Sequence, residues 1–84
     1  MYEIIFDNNT MEFLEKCERK ISKRIWDKIV SSKQNPNRFF ERLSKRQDYK
    51  LRIGDYRVIA DISNSTKKII ITLIGHRKNI YKNL

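Results

Sequence analysis

The sequence predicts an α+β domain over residues 1–84: an N-terminal strand, a helical hairpin, then antiparallel strands, forming a four-stranded sheet with helices packed on one face. Apolar residues alternate near the N-terminus, recur at helical spacing through the middle, and alternate again in the second half. Only two glycines and one proline interrupt the chain, and 39% of its residues are hydrophobic. This composition is typical of a folded domain and excludes a disordered or collagen-like chain.

The N-terminal segment predicts a strand followed by a helix. Tyr2, Ile4 and Phe6 alternate along the chain, as expected of a strand with one buried face. Asn9 and Glu12 have the spacing of a capping box, in which two side chains accept hydrogen bonds from the free amides at a helix start. A helix is therefore expected to begin with Asn9 as its cap.

A second apolar series continues the helical region. Its members recur at four-residue spacing: Ile21, Ile25, Trp26, Ile29 and Val30. We expect Trp26, and Cys17 before it, to lie in the core. Periodicity alone leaves open whether one long helix spans this region or a hairpin breaks near residues 18–20. Asn35 and Pro36 then predict the cap and first position of a short helical turn.

Three strands are predicted in the second half, at Tyr49–Ile53, 56–62 and 67–74. Gly54 and the residue after it suit a type II′ hairpin turn between the first two of these strands. A two-residue turn fixes the register, so that Arg52 faces Arg57. Because side chains alternate across a sheet, the face away from the helices is expected to carry four charged residues: Lys50, Arg52, Arg57 and Asp61.

The charge of the chain points to an anionic partner. The formal net charge is +9, and the segment after Asp61 carries five basic residues and no acidic one. The alternative is a solvated surface that charge keeps soluble. Two arginines that face each other repel by roughly 0.2–1 kcal/mol, which is easier to understand if an anion sits between Arg52 and Arg57. The planar fork of arginine is suited to a phosphate group.

Several classes of protein are excluded at this point. One cysteine and one histidine make neither an internal disulfide nor a metal-ligand set, so we expect no metal, no cofactor and a reducing compartment. The N-terminus is too short and too acidic for a signal peptide, and no apolar run approaches the ~20 residues of a membrane span. A cytoplasmic protein without membrane contact is expected.

Two segments carry a resemblance to a known family. Residues 49–59 read YKLRIGDYRVI and residues 74–81 read IGHRKNIY. Together they resemble the YKLRIGDYRVIY…GHRKDIY pattern of RelE/ParE-type toxins of toxin–antitoxin systems, and the similarity extends over nearly the whole chain. For a RelE-type member, the resemblance implies cleavage of messenger RNA in the ribosomal A site, and neutralisation by a cognate RelB-like antitoxin.

The resemblance also implies roles for individual residues in an attack of a ribose 2′-hydroxyl on the adjacent phosphate. Lys50 and Arg52 stand where the family places two basic residues, often lysines, one of which is thought to act as the base. An arginine seldom gives up its proton, so Lys50 would have to be the base. Arg57 matches the arginine that stabilises the transition state, and Arg77 matches the one proposed to serve the leaving group.

The C-terminal segment supplies the remaining candidates. Tyr81 matches a tyrosine whose ring stacks on or orients the nucleotide; the alternative is a ring packed back on the sheet. His76, as an imidazole, is a possible acid or base, although a lone histidine at a strand end is more often a hydrogen-bonded structural residue than a catalyst. Lys78 and Lys82 are expected to bind RNA together with the cations of the sheet.

Two other functions remain open at the level of sequence. ParE-type toxins share the fold and a similar C-terminal segment but inhibit DNA gyrase without enzymatic activity. These members commonly lack the combined basic set, so Lys50, Arg52, Arg57 and Arg77 together favour RNA cleavage. A degenerate toxin that acts only in an antitoxin complex is the third possibility.

Overall fold

The computed structural model describes residues 1–44 and 46–83, in nine elements. In chain order they are β1 (Glu3–Phe6), α1 (Asn8–Lys16), α2 (Arg19–Ser31), α3 (Pro36–Phe39), β2 (Glu41–Arg42), β3 (Tyr49–Ile53), β4 (Tyr56–Ser63), β5 (Lys68–His76) and a C-terminal 3₁₀ helix (Ile80–Asn83). Within these described ranges, no helix has both the length and the apolar character needed to cross a bilayer.

The strands form one mixed sheet in the order β1-β5-β4-β3-β2. β1 runs parallel to β5, and every other neighbouring pair is antiparallel. The predicted α+β class and the order of its elements are confirmed. The sheet has five strands rather than the expected four, because Glu41 and Arg42, which were expected to belong to the short helical turn after Pro36, pair with Lys50 and Tyr49.

The first helix begins earlier than its capping-box pattern predicts. Asp7 is the cap: its carboxylate accepts a hydrogen bond from the Thr10 amide at 2.9 Å, and the Thr10 hydroxyl donates to the Asp7 carbonyl. Glu12 instead forms an ion pair with Lys16. The expectation of an Asn9 cap is wrong because β1 determines the start: the Asp7 amide still bonds to Ile71 of β5, and the chain turns immediately afterwards.

The helical region is a hairpin rather than one long helix. Cys17 and Glu18 adopt extended conformations, with ψ angles of 153° and 137°, and separate α1 from α2. The Ser22 hydroxyl donates to the Leu14 carbonyl across this break. Asn35 and Pro36 occupy the cap and first position of α3, as predicted.

The core lies between the helices and one face of the sheet. Ile25 and Ile29 of α2 are fully buried against strand residues that alternate towards the helices. Trp26 is not in the core as expected: it is 44% exposed and stacks on Phe6, with ring centroids 5.1 Å apart. Consecutive helical residues point about 100° apart, so a neighbour of Ile25 falls on the flank of the helix. Cys17 is only partly buried.

Candidate functional site

The hairpin of β3 and β4 has the predicted register. Arg52 pairs with Arg57, and Lys50 pairs with Ile59. Gly54 opens the turn with a φ of 56°, a left-handed conformation that favours glycine, as the first position of a type II′ turn requires. The alternate residues of both strands pack on the helices, so the cations lie on the opposite side of the sheet, which is called the open face below.

Arg57 is anchored rather than free on the open face. Its side chain is mostly buried, and the residue is only 8% exposed. The Nη1 group donates hydrogen bonds to the carbonyl oxygens of Gly54 and Tyr56, both at 2.8 Å. These carbonyls draw the guanidinium towards the turn, which reduces the repulsion from Arg52 expected of two facing arginines.

The C-terminal 3₁₀ helix covers part of the open face. Gly75 of β5 pairs with Arg57, and a Cβ placed on Gly75 would lie 3.5 Å from the Cβ of Ile80. Ile80 therefore lies over the open face, where it and Ile59 are both 1% exposed although they lie outside the main core cluster. This covering helps to explain why Arg57 is buried.

Arg77 is attached to the same turn as Arg57. Its amide donates to the Asp55 carbonyl at 2.7 Å, and its Nε lies 3.3 Å from the Asp55 carboxylate. The Arg77 side chain remains 54% exposed. One turn thus holds two candidate catalytic arginines, one buried and one accessible.

Lys50 and Arg52 complete the basic set on β3. Arg52 is exposed, and no described residue forms an ion pair or a side-chain hydrogen bond with it. Lys50 is half-buried between Ile59 on β4 and Glu41 on β2. Glu41 is a neighbour that sequence reasoning missed, because a two-residue strand is too short to produce a recognisable pattern.

The C-terminal candidates Lys78, Tyr81 and Lys82 are exposed. Tyr81 is 44% exposed, so a large part of this residue is accessible to solvent. Lys78 and Lys82 are also exposed. All three are on the segment that crosses the open face at Ile80, and this segment begins next to Arg77.

His76 is not brought together with the basic set. It pairs with Tyr56, whose side chain faces the helices, and the two rings meet edge to face with centroids 5.5 Å apart. The His76 Nδ1 accepts a hydrogen bond from the Lys78 amide at 3.1 Å. The sheet therefore separates this imidazole from Lys50, Arg52 and Arg57.

Charge is distributed unevenly along the hairpin. Arg52, Arg57 and Arg77 lie near the turn together with Asp55, whereas Asp48 and Asp61 lie at the opposite end together with Arg46. There Arg46 donates two hydrogen bonds to Asp48, each at 2.9 Å, and this contact holds the pKa of the Asp48 carboxyl below its usual value. An anion is thus attracted to the turn end of the open face.

Comparisons with known proteins concern the sequence and the fold of the chain. A family model described as the ParE toxin of the type II toxin–antitoxin system parDE matches residues 4–81. No curated protein matches the chain in sequence.

Similar solved structures include the RelBE2 toxin–antitoxin complex from Mycobacterium tuberculosis, with 20% identity and a TM-score of 0.82 over 90% of this chain and 98% of that one. The intact RelBE complex from E. coli has 18% identity and a TM-score of 0.75, covering 90% and 96% of the two chains. The RelB–RelE complex from Methanococcus jannaschii has 23% identity and a TM-score of 0.71, covering 95% and 98%. At these identities the likeness establishes a shared fold.

Proposed function

Since this chain belongs to the ParE toxin family, within the RelE/ParE superfamily of toxins from type II toxin–antitoxin systems, we propose that it is a ribosome-dependent endoribonuclease that cleaves messenger RNA in the A site. The observation that supports this activity most is the arrangement at the β3–β4 turn. The turn holds Arg57 and Arg77, while β3 adds Lys50 and Arg52 on the open face. Such a set is suited to a phosphate group that gains negative charge.

The proposed reaction is a transesterification that needs no metal. The 2′-oxygen attacks the adjacent phosphorus, the bond from phosphorus to the 5′-oxygen breaks, and the products are a 2′,3′-cyclic phosphate and a 5′-hydroxyl. Negative charge develops on the phosphorane between these two steps. Arg57 is suited to stabilise it because two backbone carbonyls already fix its guanidinium, so little reorganisation is needed during the reaction.

The proton of the 2′-hydroxyl must pass to a base. Lys50 is our candidate on β3, because Arg52 seldom loses a proton. Glu41, directly opposite Lys50, is a carboxylate that is able to accept the same proton or to orient the lysine. The two residues are separable by mutation.

The leaving 5′-oxygen and the nucleotide base require groups at the other end of the site. Arg77 is exposed and tied to Asp55, which suits a role in neutralising or protonating the leaving oxygen. The exposed ring of Tyr81 is available to stack on a base, and Lys78 and Lys82 to bind flanking phosphates. His76, on the other side of the sheet, is the weakest of the candidates for a direct role.

The test is incubation with ribosomes that carry a defined message. We expect a cut within the A-site codon and a 5′-hydroxyl on the downstream fragment, mapped by toe-printing and end-group analysis. Arg77→Ala should lower the cleavage rate by ~10²-fold or more. Glu12→Gln, which removes an exposed ion pair on α1 and changes none of the candidate residues, is the control that should keep full activity. Intact message with a correctly folded protein would rule the proposal out.

A second candidate function is inhibition of DNA gyrase without chemistry. It is favoured by the ParE description of the matching family. A supercoiling assay with purified gyrase separates the two. Blocked supercoiling together with intact message would assign this chain to the gyrase inhibitors.

We also propose a cognate RelB-like antitoxin as its partner. The similar structures from M. tuberculosis, E. coli and M. jannaschii are complexes of a toxin with its antitoxin. The net charge of +9 and the exposed apolar side chains of Trp26 and Val30 suit an acidic, amphipathic chain. Co-purification with the product of an adjoining short reading frame tests this assignment.

A further inference from the structure

A basic groove, separate from the open face, lies between the β3–β4 hairpin and α2. It has a volume of about 390 Å³, and its basic lining residues are Arg24 and Lys28 of α2 and Arg52 of β3. The edge of β3 is open here, because β2 pairs only with Tyr49 and Lys50. We propose that this groove binds the phosphodiester backbone of a nucleic-acid strand. The proposal rests on the proposed RNA activity; the groove shares Arg52 with the candidate catalytic set and adds Arg24 and Lys28, which lie outside that set.

Arg24 is placed by the hairpin turn itself. Its Nη2 lies 3.0 Å from the position that a Cβ would occupy on Gly54. Because Gly54 lacks a side chain, the guanidinium is able to lie against the turn. Within residues 1–44 and 46–83, neither Arg24 nor Arg52 has an ion pair or a side-chain hydrogen bond. Two guanidinium groups with unused donors therefore border the same groove.

The remaining charges keep the groove cationic. Lys28 lines the groove, and its ammonium lies 5.4 Å from the centre of the Phe39 ring, a cation–π contact. Asp27 is the one carboxylate among the described lining residues, and it already accepts a hydrogen bond from Lys23 at 2.8 Å. Three cations thus face one carboxylate that has its own partner.

The lining favours a phosphodiester over an acidic peptide. Ile53 is the one large apolar side chain among the described lining residues, and it is only 7% exposed. An amphipathic peptide would find little apolar surface to bury, whereas a polynucleotide needs mainly donors and positive charge. Arg52 also belongs to the open face. A single strand is therefore able to pass from the open face over the edge of β3 and into the groove.

The experiment measures binding of a fluorescent single-stranded DNA oligonucleotide, which has the same backbone charge but no 2′-hydroxyl and so stays intact. The double variant Arg24→Gln with Lys28→Gln is compared with the double variant Arg19→Gln with Lys20→Gln. The control pair removes the same two residue types from the same helix but does not line the groove. Affinity is measured over a range of salt concentrations, and thermal melts verify that all samples are folded.

We expect the groove variant to lose affinity and to reduce the slope of log affinity against log salt by about 1.4, or about 0.7 for each of two phosphates. The control variant has the same net charge as the groove variant, and its slope of log affinity against log salt should stay closer to that of the native chain. Equal losses in both variants would overturn the groove as a site. A polyglutamate peptide of equal charge is measured as a competitor with the native chain and with the groove variant. If the groove substitutions weaken binding of the peptide as much as they weaken binding of the oligonucleotide, the preference for phosphodiesters is wrong.

These outcomes are independent of the proposed catalysis. Cleavage of ribosome-bound message by the native chain tests the function, whereas oligonucleotide binding tests the groove. A chain that binds through Arg24 and Lys28 but leaves message intact would retain the groove and lose the RNase assignment.

Discussion

Asp55 contacts Arg77 twice, with its carbonyl 2.7 Å from the Arg77 amide and its carboxylate 3.3 Å from the Arg77 Nε. The same turn accepts two hydrogen bonds from Arg57. The turn thus contacts both Arg57, which lies on β4, and Arg77, which follows the end of β5. Asp55 is therefore a positioning residue for the candidate site rather than a group that reacts.

Replacing Asp55 by Asn should lower cleavage without loss of fold. Both side chains of the pair are more than half exposed, so its contribution to stability is about 0–1 kcal/mol. We expect the rate to fall by about 10-fold, less than the loss of Arg77 itself, because only the aim of Arg77 changes. Single-turnover cleavage and a thermal melt measure the two effects. A large drop in melting temperature would mean that Asp55 acts through the fold.

Substitutions of Arg52 and Arg57 should change the stability of the protein differently, although the two residues face each other. Arg57→Gln removes two charged hydrogen bonds to the turn and should lower the free energy of unfolding by about 2 kcal/mol. Arg52→Gln removes an exposed cation that repels its neighbour, so stability should stay the same or rise slightly. Urea denaturation of both variants gives the comparison. Equal stabilities would show that the contacts of Arg57 with the turn contribute little.

The hairpin shows what sequence was able to predict. A two-residue turn leaves one register, so the pairing of Arg52 with Arg57 and the choice of face followed directly from Gly54 and the alternation around it. The break between the helices was not predictable, because both helices continue the same apolar spacing across Cys17. Residue propensity and apolar periodicity are properties of a local segment, so they predict which segments form helices and strands.

The features that sequence missed depend on distant contacts. The covering of the open face depends on Ile80, which lies more than 20 residues along the chain from Arg57 and packs against Gly75, the partner of Arg57 on β5. The cap at Asp7 depends on a hydrogen bond to Ile71, and β2 depends on pairing with β3. None of these features could be predicted from its own segment, because a contact with a distant part of the chain determines the structure there.

The ion pair of Arg46 with Asp48 should make stability depend on pH. The pKa of Asp48 is lowered from the ordinary value of 3.8, mainly by the hydrogen bond from Arg46. A folded pKa below the unfolded one means that the stabilisation is present above 3.8 and is lost as the pH falls through the lower folded value. Asp48→Asn should therefore be less stable than the native chain at neutral pH, with the difference vanishing in acid. Asp61→Asn, which loses no hydrogen bond to Arg46, is the control, and an unchanging gap would contradict the assignment.

Truncation of Ile80 should lower stability, whereas truncation of Tyr81 should lower cleavage. Ile80 is 1% exposed, so Ile80→Ala should cost about 2–5 kcal/mol, and the milder Ile80→Val about 0.5–1.5 kcal/mol. Tyr81 is 44% exposed, so Tyr81→Ala should leave stability nearly unchanged while lowering cleavage through weaker positioning of the nucleotide. Denaturation and cleavage are measured on the same samples. A strongly destabilised Tyr81→Ala would mean that the ring packs on the protein.

The last prediction separates the two groups that face each other across β2 and β3. If Lys50 is the base, Lys50→Met should lower the cleavage rate by about 10²-fold or more, and Glu41→Gln should lower it much less, because it leaves Lys50 in place and puts an amide of similar size opposite it. If Glu41 is the base, the order reverses. A pH–rate profile of each variant identifies the group, since removal of the base abolishes the limb of the profile that it controls. A substrate with a better leaving group than the 5′-oxygen should rescue Arg77→Ala but neither of these variants, because Arg77 is proposed to serve the leaving oxygen and the base serves the attacking one.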